Sequence, residues 1–317
     1  MNGNASKPRV PTAGVWAPAV TFFDQKNDNL DLAAQTKYYK YLSQHLTGLV
    51  ILGTNAETFM LTREERATLL KTARQAVGPD YEIMAGVGGH STKQVLEFIN
   101  DAAQAKADYV LVLPCAYFGK QTSNKVIMNF YEEIAEKSPL PIVIYNFPGV
   151  TNGIDIDSDM MATLHKKHKN IVGVKLTCAS VSKITRLAAE FDKSEFAVFG
   201  GQSDFLLAGM AVGSAGAISG FGNVAPKTIR RIYDLYDQGK KDEALSMHRV
   251  AAFAEVIGKS GIANTKYGAS LTSAKSAGIE GAEEKMAPRR PYEPLTKDQK
   301  RWVMDTIGET MKIEAKL

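Results

Sequence analysis

A chain of 317 residues, 44% hydrophobic and 23% charged, has the balance of an ordinary globular protein that can bury a core without staples. Its net charge of +4 is mildly basic, but Lys and Arg are interspersed with Asp and Glu, which argues against a nucleic-acid partner. Cys115 and Cys178 are too few for a disulfide framework, and no apolar stretch has the length of a signal peptide or a membrane span. A cytoplasmic protein with no membrane partner is therefore expected, and the sequon Asn4-Ala5-Ser6 is expected to be silent. The end Ala315-Lys316-Leu317 is a near miss to the Ser-Lys-Leu peroxisomal address and leaves that compartment as an alternative.

Short runs rich in Val and Ile recur along the chain with amphipathic stretches between them. Strands are predicted over 14–20, 48–53, 83–87, 109–113, 141–145, 171–175, 196–199 and 216–219. Each is followed by a predicted helix, over 30–46, 63–77, 91–105, 124–137, 157–167, 181–190, 205–212 and 225–236. Thr62 with Glu65 reads as a capping box, and Ser91-Thr92 opens the third helix. Eight strand-then-helix units fit an α/β fold of the (β/α)8 TIM-barrel type. A doubly wound sheet is disfavoured because no Gly-x-Gly-x-x-Gly turn follows any strand. Beyond Tyr236 the pattern is purely helical, over 240–257, 262–277 and 297–311, with a break at 288–294. The expected organisation is a disordered or extended segment 1–13, a barrel 14–237, and a C-terminal helical extension 238–317 packed on it.

Chemistry in such barrels sits at the C-terminal ends of the strands. Those ends carry Thr54 and Asn55 after the second strand, Tyr117 after the fourth, and Tyr145-Asn146 at the fifth. The sixth ends in Lys175, the seventh in Gly201-Gln202-Ser203-Asp204, and the eighth in Ile218-Ser219. Lys175 is a lone lysine in an apolar strand. In an apolar pocket desolvation favours its neutral amine, which can attack a carbonyl; at a sheet edge it would be an ordinary solvated lysine.

The motifs Gly53-Thr54-Asn55-Ala56-Glu57, Tyr145-Asn146-Phe147-Pro148 and Gly173-Val174-Lys175 stand in this order at three strand ends. Together they resemble the pyruvate-dependent class I aldolase and lyase family that includes dihydrodipicolinate synthase, N-acetylneuraminate lyase, 2-keto-3-deoxy sugar acid aldolases and 4-hydroxy-2-oxoglutarate aldolase. The resemblance runs from about Gly14 to Tyr236. It implies an imine between Lys175 and a 2-keto acid, proton relay by Tyr145 joined by Tyr117, and a carboxylate held by Thr54 and Asn55. No cofactor is implied beyond the covalent imine, and a homo-oligomer, tetramer or dimer, is suggested. Glu57 reads as a turn-stabilising carboxylate.

Departures from the family bear on substrate. The synthases carry an arginine two residues after the proline of the tyrosine motif; here that place is Val150, so a second carboxylate lacks a bidentate partner unless Arg289 or Arg290 supplies one. Asn55 in place of threonine is closer to the hydroxy-oxoglutarate aldolases. Gln202, Ser203, Asp204 and Ser219 suit the hydroxyls of a polyol tail. The expected reaction is cleavage of a 2-keto-3-deoxy sugar acid, with 2-keto-3-deoxy-L-galactonate foremost, to pyruvate and glyceraldehyde. The partners are thus a small keto acid and an aldehyde. 4-Hydroxy-2-oxoglutarate aldolase and then dihydrodipicolinate synthase are the alternatives, and a non-catalytic keto-acid-binding barrel is the non-enzyme one. No metal site is expected, because the five histidines are scattered and His165 and His168 read as part of a solvated, Lys-rich face.

Overall fold

The structure, a computed structural model, describes residues 8–317. Residues 1–7, including the sequon and most of the segment expected to be disordered or extended, lie outside the described residues. The strands are β1 (Gly14–Pro18), β2 (Gly48–Ile51), β3 (Glu82–Gly86), β4 (Tyr109–Val112), β5 (Ile142–Asn146), β6 (Ile171–Leu176), β7 (Ala197–Gly200) and β8 (Gly216–Ile218). Each pairs in parallel with the next, and β8 closes onto β1. The intervening helices are α1 (Leu32–Ser43), α2 (Arg63–Val77), α3 (Thr92–Gln104), α4 (Asn124–Lys137), α5 (Ser158–Lys167), α6 (Val181–Glu190), α7 (Leu206–Ala211) and α8 (Pro226–Asp237). The fold is a (β/α)8 TIM barrel.

Local chemistry sets the helix starts. Asp31, Thr62, Ser91, Ser123, Asp157 and Ser180 each turn a side-chain oxygen onto an otherwise unpaired N–H of the first turn, and Thr62 completes its box with Glu65. All residues of the strands are buried, because one strand face looks into the barrel and the other meets the helices. Trp16, Val50, Met84, Tyr109, Val143 and Phe199 fill the interior. Trp16 meets the Tyr109 and Phe199 rings edge-on at 6.2 and 6.3 Å.

Residues 9–12, ahead of β1, cover the N-terminal end of the barrel. Arg9 pairs with Glu82 at 2.6 Å and Asp108 at 3.1 Å, the Thr12 N–H donates to Glu82, and Tyr109 Oη donates to the Val10 carbonyl. With the interior packed and that end covered, open space remains at the C-terminal mouth.

Two details of β6 set the mouth geometry. Pairing with β5 shifts register between Ile142 and Val143, after which Tyr145 stands opposite Lys175. Gly173 lets β6 approach β7, since a Cβ there would lie 2.4 Å from the Ala197 carbonyl oxygen.

The tail holds α9 (Lys241–Ala254), α10 (Val256–Lys259), α11 (Ile262–Leu271), α12 (Ser273–Ser276), α13 (Ala282–Lys285) and α14 (Lys297–Lys316). Where one helix is predicted over 262–277, the backbone breaks at Thr272. Its hydroxyl donates to the Val224 carbonyl at 2.6 Å, and the Ser273 hydroxyl donates to that of Asn223, so both bond to the loop after β8. The helix predicted over 240–257 likewise breaks, at Glu255. No described helix is long and apolar enough to cross a membrane.

Candidate active site

Lys175 and Tyr145 are brought together by the strand register. Both are almost fully buried, and Lys175 Nζ stands 4.2 Å from the centre of the Tyr145 ring. A cavity opens over the pair, lined also by Asn55, Phe147, Thr177, Gly201, Gln202, Gly220, Phe221 and, from the tail, Glu255, Gly258, Lys259 and Thr265. Phe147 lies 5.8 Å from the Tyr145 ring and extends this apolar wall.

The neighbouring motif residues act on the frame. The Asn146 amide donates to Asp155 at 2.6 Å and its oxygen accepts the Ile156 N–H at 2.9 Å, closing the loop after β5. Gly201 sits so close to Thr177 that a Cβ would be 2.1 Å from Thr177 Oγ1. After β2 the chain turns through Leu52 at φ 66° into a short turn, Thr54–Ala56, held by the Thr21 hydroxyl on the Ala56 carbonyl at 2.8 Å. Ala56 is not at positive φ, so a side chain is accommodated there without backbone strain. Asn55 reaches the cavity across Gly220, whose Cβ would crowd the amide at 2.8 Å. Glu57 serves the frame as expected: its carboxylate binds Lys266 Nζ at 2.7 Å and the Arg289 N–H at 2.7 Å.

Three buried hydroxyls at the mouth, Thr54 Oγ1, Thr177 Oγ1 and Thr265 Oγ1, have no partner among the described residues. Unsatisfied buried polar atoms are uncommon in native folds, and the latter two belong to cavity-lining residues.

Several expectations need correction. Tyr117 is 71% exposed and packs against His90 and Phe118 on the rim, because the chain after β4 runs outward and is pinned by Asn152 on the Ala116 carbonyl. Within one chain it does not join the Lys175 cavity. Ser203 and Ser219 are not free for substrate: Ser203 N–H and Ser219 Oγ donate to Glu255 Oε1 at 3.0 and 2.9 Å, and Ser203 Oγ to Oε2 at 2.8 Å. Asp204 is paired with Lys259, and Ile218 is interior packing. Gly201 and Gln202 do line the cavity. Arg289 is no substitute for the missing arginine, since Glu65 and Asp28 hold it. His165 is buried, bonded to the Ile171 carbonyl, and not part of a solvated face. Glu255, Lys259 and Thr265 were missed because they come from helices some 80 residues after Lys175, where no strand-end rule reaches.

Residues 11–310 match the dihydrodipicolinate synthetase family. A Coccidioides immitis protein with the provisional name "4-hydroxy-2-oxoglutarate aldolase, mitochondrial" is 63% identical, over 98% of this chain and 99% of its own length. The "L-threo-3-deoxy-hexylosonate aldolase" of Hypocrea jecorina is 34% identical over 98% of this chain and 99% of its own length. A crystal structure from Coccidioides immitis, assigned to the dihydrodipicolinate synthase family, superposes with a TM-score of 0.92 at 60% identity, covering 98% of this chain and 100% of that one. The mitochondrial designation of the 63% relative overturns the cytoplasmic expectation and its peroxisomal alternative. With that coverage and those relatives, this chain belongs to the dihydrodipicolinate synthetase family and is a pyruvate-dependent aldolase-type lyase.

Proposed function

We propose that the chain is a Schiff-base aldolase cleaving a 4-hydroxy-2-oxo acid to pyruvate and an aldehyde, with a 2-keto-3-deoxy sugar acid of the L-threo-3-deoxy-hexulosonate class as substrate. The observation that carries this reading is the buried Lys175 amine set over the Tyr145 ring at the cavity floor. The amine attacks the keto carbon and water leaves, giving an imine that accepts electrons from C3. The C3–C4 bond then breaks as the C4 hydroxyl gives up its proton and the aldehyde departs. Protonation at C3 and hydrolysis release pyruvate and restore the amine. Tyr145 would relay these protons. Thr54 and Asn55 would hold the pyruvyl carboxylate, a task for which the unpaired Thr54 hydroxyl is suited. No cofactor is needed, since the imine is the electron sink.

The unpaired hydroxyls of Thr177 and Thr265, with the Gln202 amide, favour a hydroxylated tail. A second reading, 4-hydroxy-2-oxoglutarate, is favoured by the name of the 63% relative. Dihydrodipicolinate synthesis is disfavoured, because Val150 carries no charge and Arg289 is committed elsewhere. A mitochondrial site of action follows the same relative. A homo-oligomer remains our expectation, favoured by the exposed rim aromatics Phe59, Tyr117 and Phe118.

Borohydride with pyruvate should covalently label Lys175, because an imine is reducible and a carboxylate complex is not. Lys175→Arg should abolish labelling, since a guanidinium stays protonated. Peptide mapping that places the label elsewhere, or finds none, sinks the mechanism.

A further inference from the structure

The distal wall of the cavity holds a carboxyl that imine chemistry does not need. Glu255 sits in the break between α9 and α10, 4% exposed, yet lines the same cavity as Lys175 and Tyr145. Its Oε1 accepts from Ser203 N–H and Ser219 Oγ, and its Oε2 from Ser203 Oγ. No cation among the described residues pairs with it; the other charges of this wall, Asp204 and Lys259, pair with each other.

A structural tie between the strand ends and the tail would need only an amide or a hydroxyl. Burying a carboxyl without a counter-ion is unfavourable, and burial does push this one above the ordinary glutamate range. Three protein donors aimed at its two oxygens oppose that shift and favour the carboxylate. A carboxylate offers about four lone-pair directions, so one on Oε2 remains for a donor from the cavity. The unpaired hydroxyls of Thr177 and Thr265 line the same space. The ensemble accepts and donates hydrogen bonds and offers an incoming anion no free cation. Such a wall welcomes a neutral hydroxylated chain and repels an anion.

We infer that Glu255 is the specificity residue of this aldolase: it accepts a hydroxyl of the substrate's distal tail and excludes 4-hydroxy-2-oxo acids whose distal end is a second carboxylate. Ser203 and Ser219 are positioning residues that aim it, and His248 steadies Ser203 by donating from Nε2 to its carbonyl at 2.7 Å. This inference rests on the aldolase reading above.

The test compares kcat/KM for L-threo-3-deoxy-hexulosonate and for 4-hydroxy-2-oxoglutarate in the wild type, Glu255→Gln and Glu255→Asp. Pyruvate–borohydride labelling of Lys175 counts competent sites in each. The wild type should prefer the sugar acid. Glu255→Gln should shrink that preference about 10- to 100-fold per competent site, losing on the sugar acid and gaining on the dicarboxylate. Glu255→Asp keeps the carboxyl while withdrawing it by one methylene, so it should lose on the sugar acid and still reject the dicarboxylate. A ratio unchanged in both variants, or a parallel fall on both substrates, overturns the inference, since a purely structural tie predicts that. A labelled wild type that prefers the dicarboxylate overturns it while sparing the Schiff-base mechanism; an unlabelled wild type brings both down.

Discussion

Tyr145 and Lys175 lie 30 residues apart in the chain yet face each other across adjacent strands, and their separation is fixed by backbone pairing rather than by side-chain reach. Pre-set geometry of this kind is what an acid–base group requires, because its worth depends on standing within hydrogen-bond distance of the reacting atoms. Tyr145→Phe preserves the ring that packs against Phe147 and removes only the hydroxyl. It should keep the thermal midpoint near that of the wild type while turnover on the keto acid falls about 10²–10⁴-fold. Near-normal turnover in that variant would reduce Tyr145 to a packing residue. Lys175 and Tyr145 were legible in the chain because each is a polar residue at the end of an apolar strand. Tyr117 obeys the same rule and stands on the rim, since the rule locates a strand end but not the direction of the loop that follows. Ser203 and Ser219 were legible as mouth residues, whereas their partner Glu255 was not, so their hydroxyls were assigned to substrate rather than to a carboxylate.

Between elements, the same contrast separates local from distant chemistry. The Thr62–Glu65 box could be read because its two members are three residues apart, and both of its hydrogen bonds are present. The start of α8 could not be read in that way. Its N-cap, Ala225, has no side-chain acceptor, and Glu314 of α14 supplies one from the far end of the tail, accepting from Lys227 N–H at 3.1 Å, Thr228 N–H at 2.8 Å and Thr228 Oγ at 2.7 Å. Burial pushes the Glu314 carboxyl above its ordinary 4.5 despite these donors. The folded chain therefore holds this proton more tightly than the unfolded chain, and the stability it contributes is fullest below 4.5 and declines as pH rises through the raised value. Glu314→Gln cannot titrate and escapes the decline. The thermal midpoint of the variant minus that of the wild type should thus grow as pH is raised from below 4.5 to neutrality. A difference that falls over this span would show that attraction to the helix end outweighs burial. The breaks at Thr272 and Glu255 were illegible for a related reason: helical periodicity continues through both, and what stops each helix is a contact with the barrel.

At the scale of the molecule, the cavity has two sources. The barrel supplies Lys175, Tyr145, Asn55 and Thr177, while the tail supplies Glu255, Gly258, Lys259 and Thr265. The buried ion pair of Lys266 with Glu57 fastens the tail to the loop after β2, with Lys266 Nζ 4.7 Å above the Phe23 ring. Tail and mouth are therefore held in fixed relation without a shared strand. If Lys175 and Glu255 act as proposed, changes in the tail should redirect which aldehyde is released, and changes in the barrel should mostly end turnover. A mutant library confined to positions 255–265 should yield many clones that still form the pyruvate imine but differ in preferred acceptor, and a library over 145–177 should yield mostly inert ones. Sorting both libraries first by borohydride trapping and then by a panel of aldehydes measures this partition. If tail clones lose trapping as often as barrel clones, recognition and reaction are one inseparable trait, and new activities in this lineage must have arisen by remaking the whole mouth.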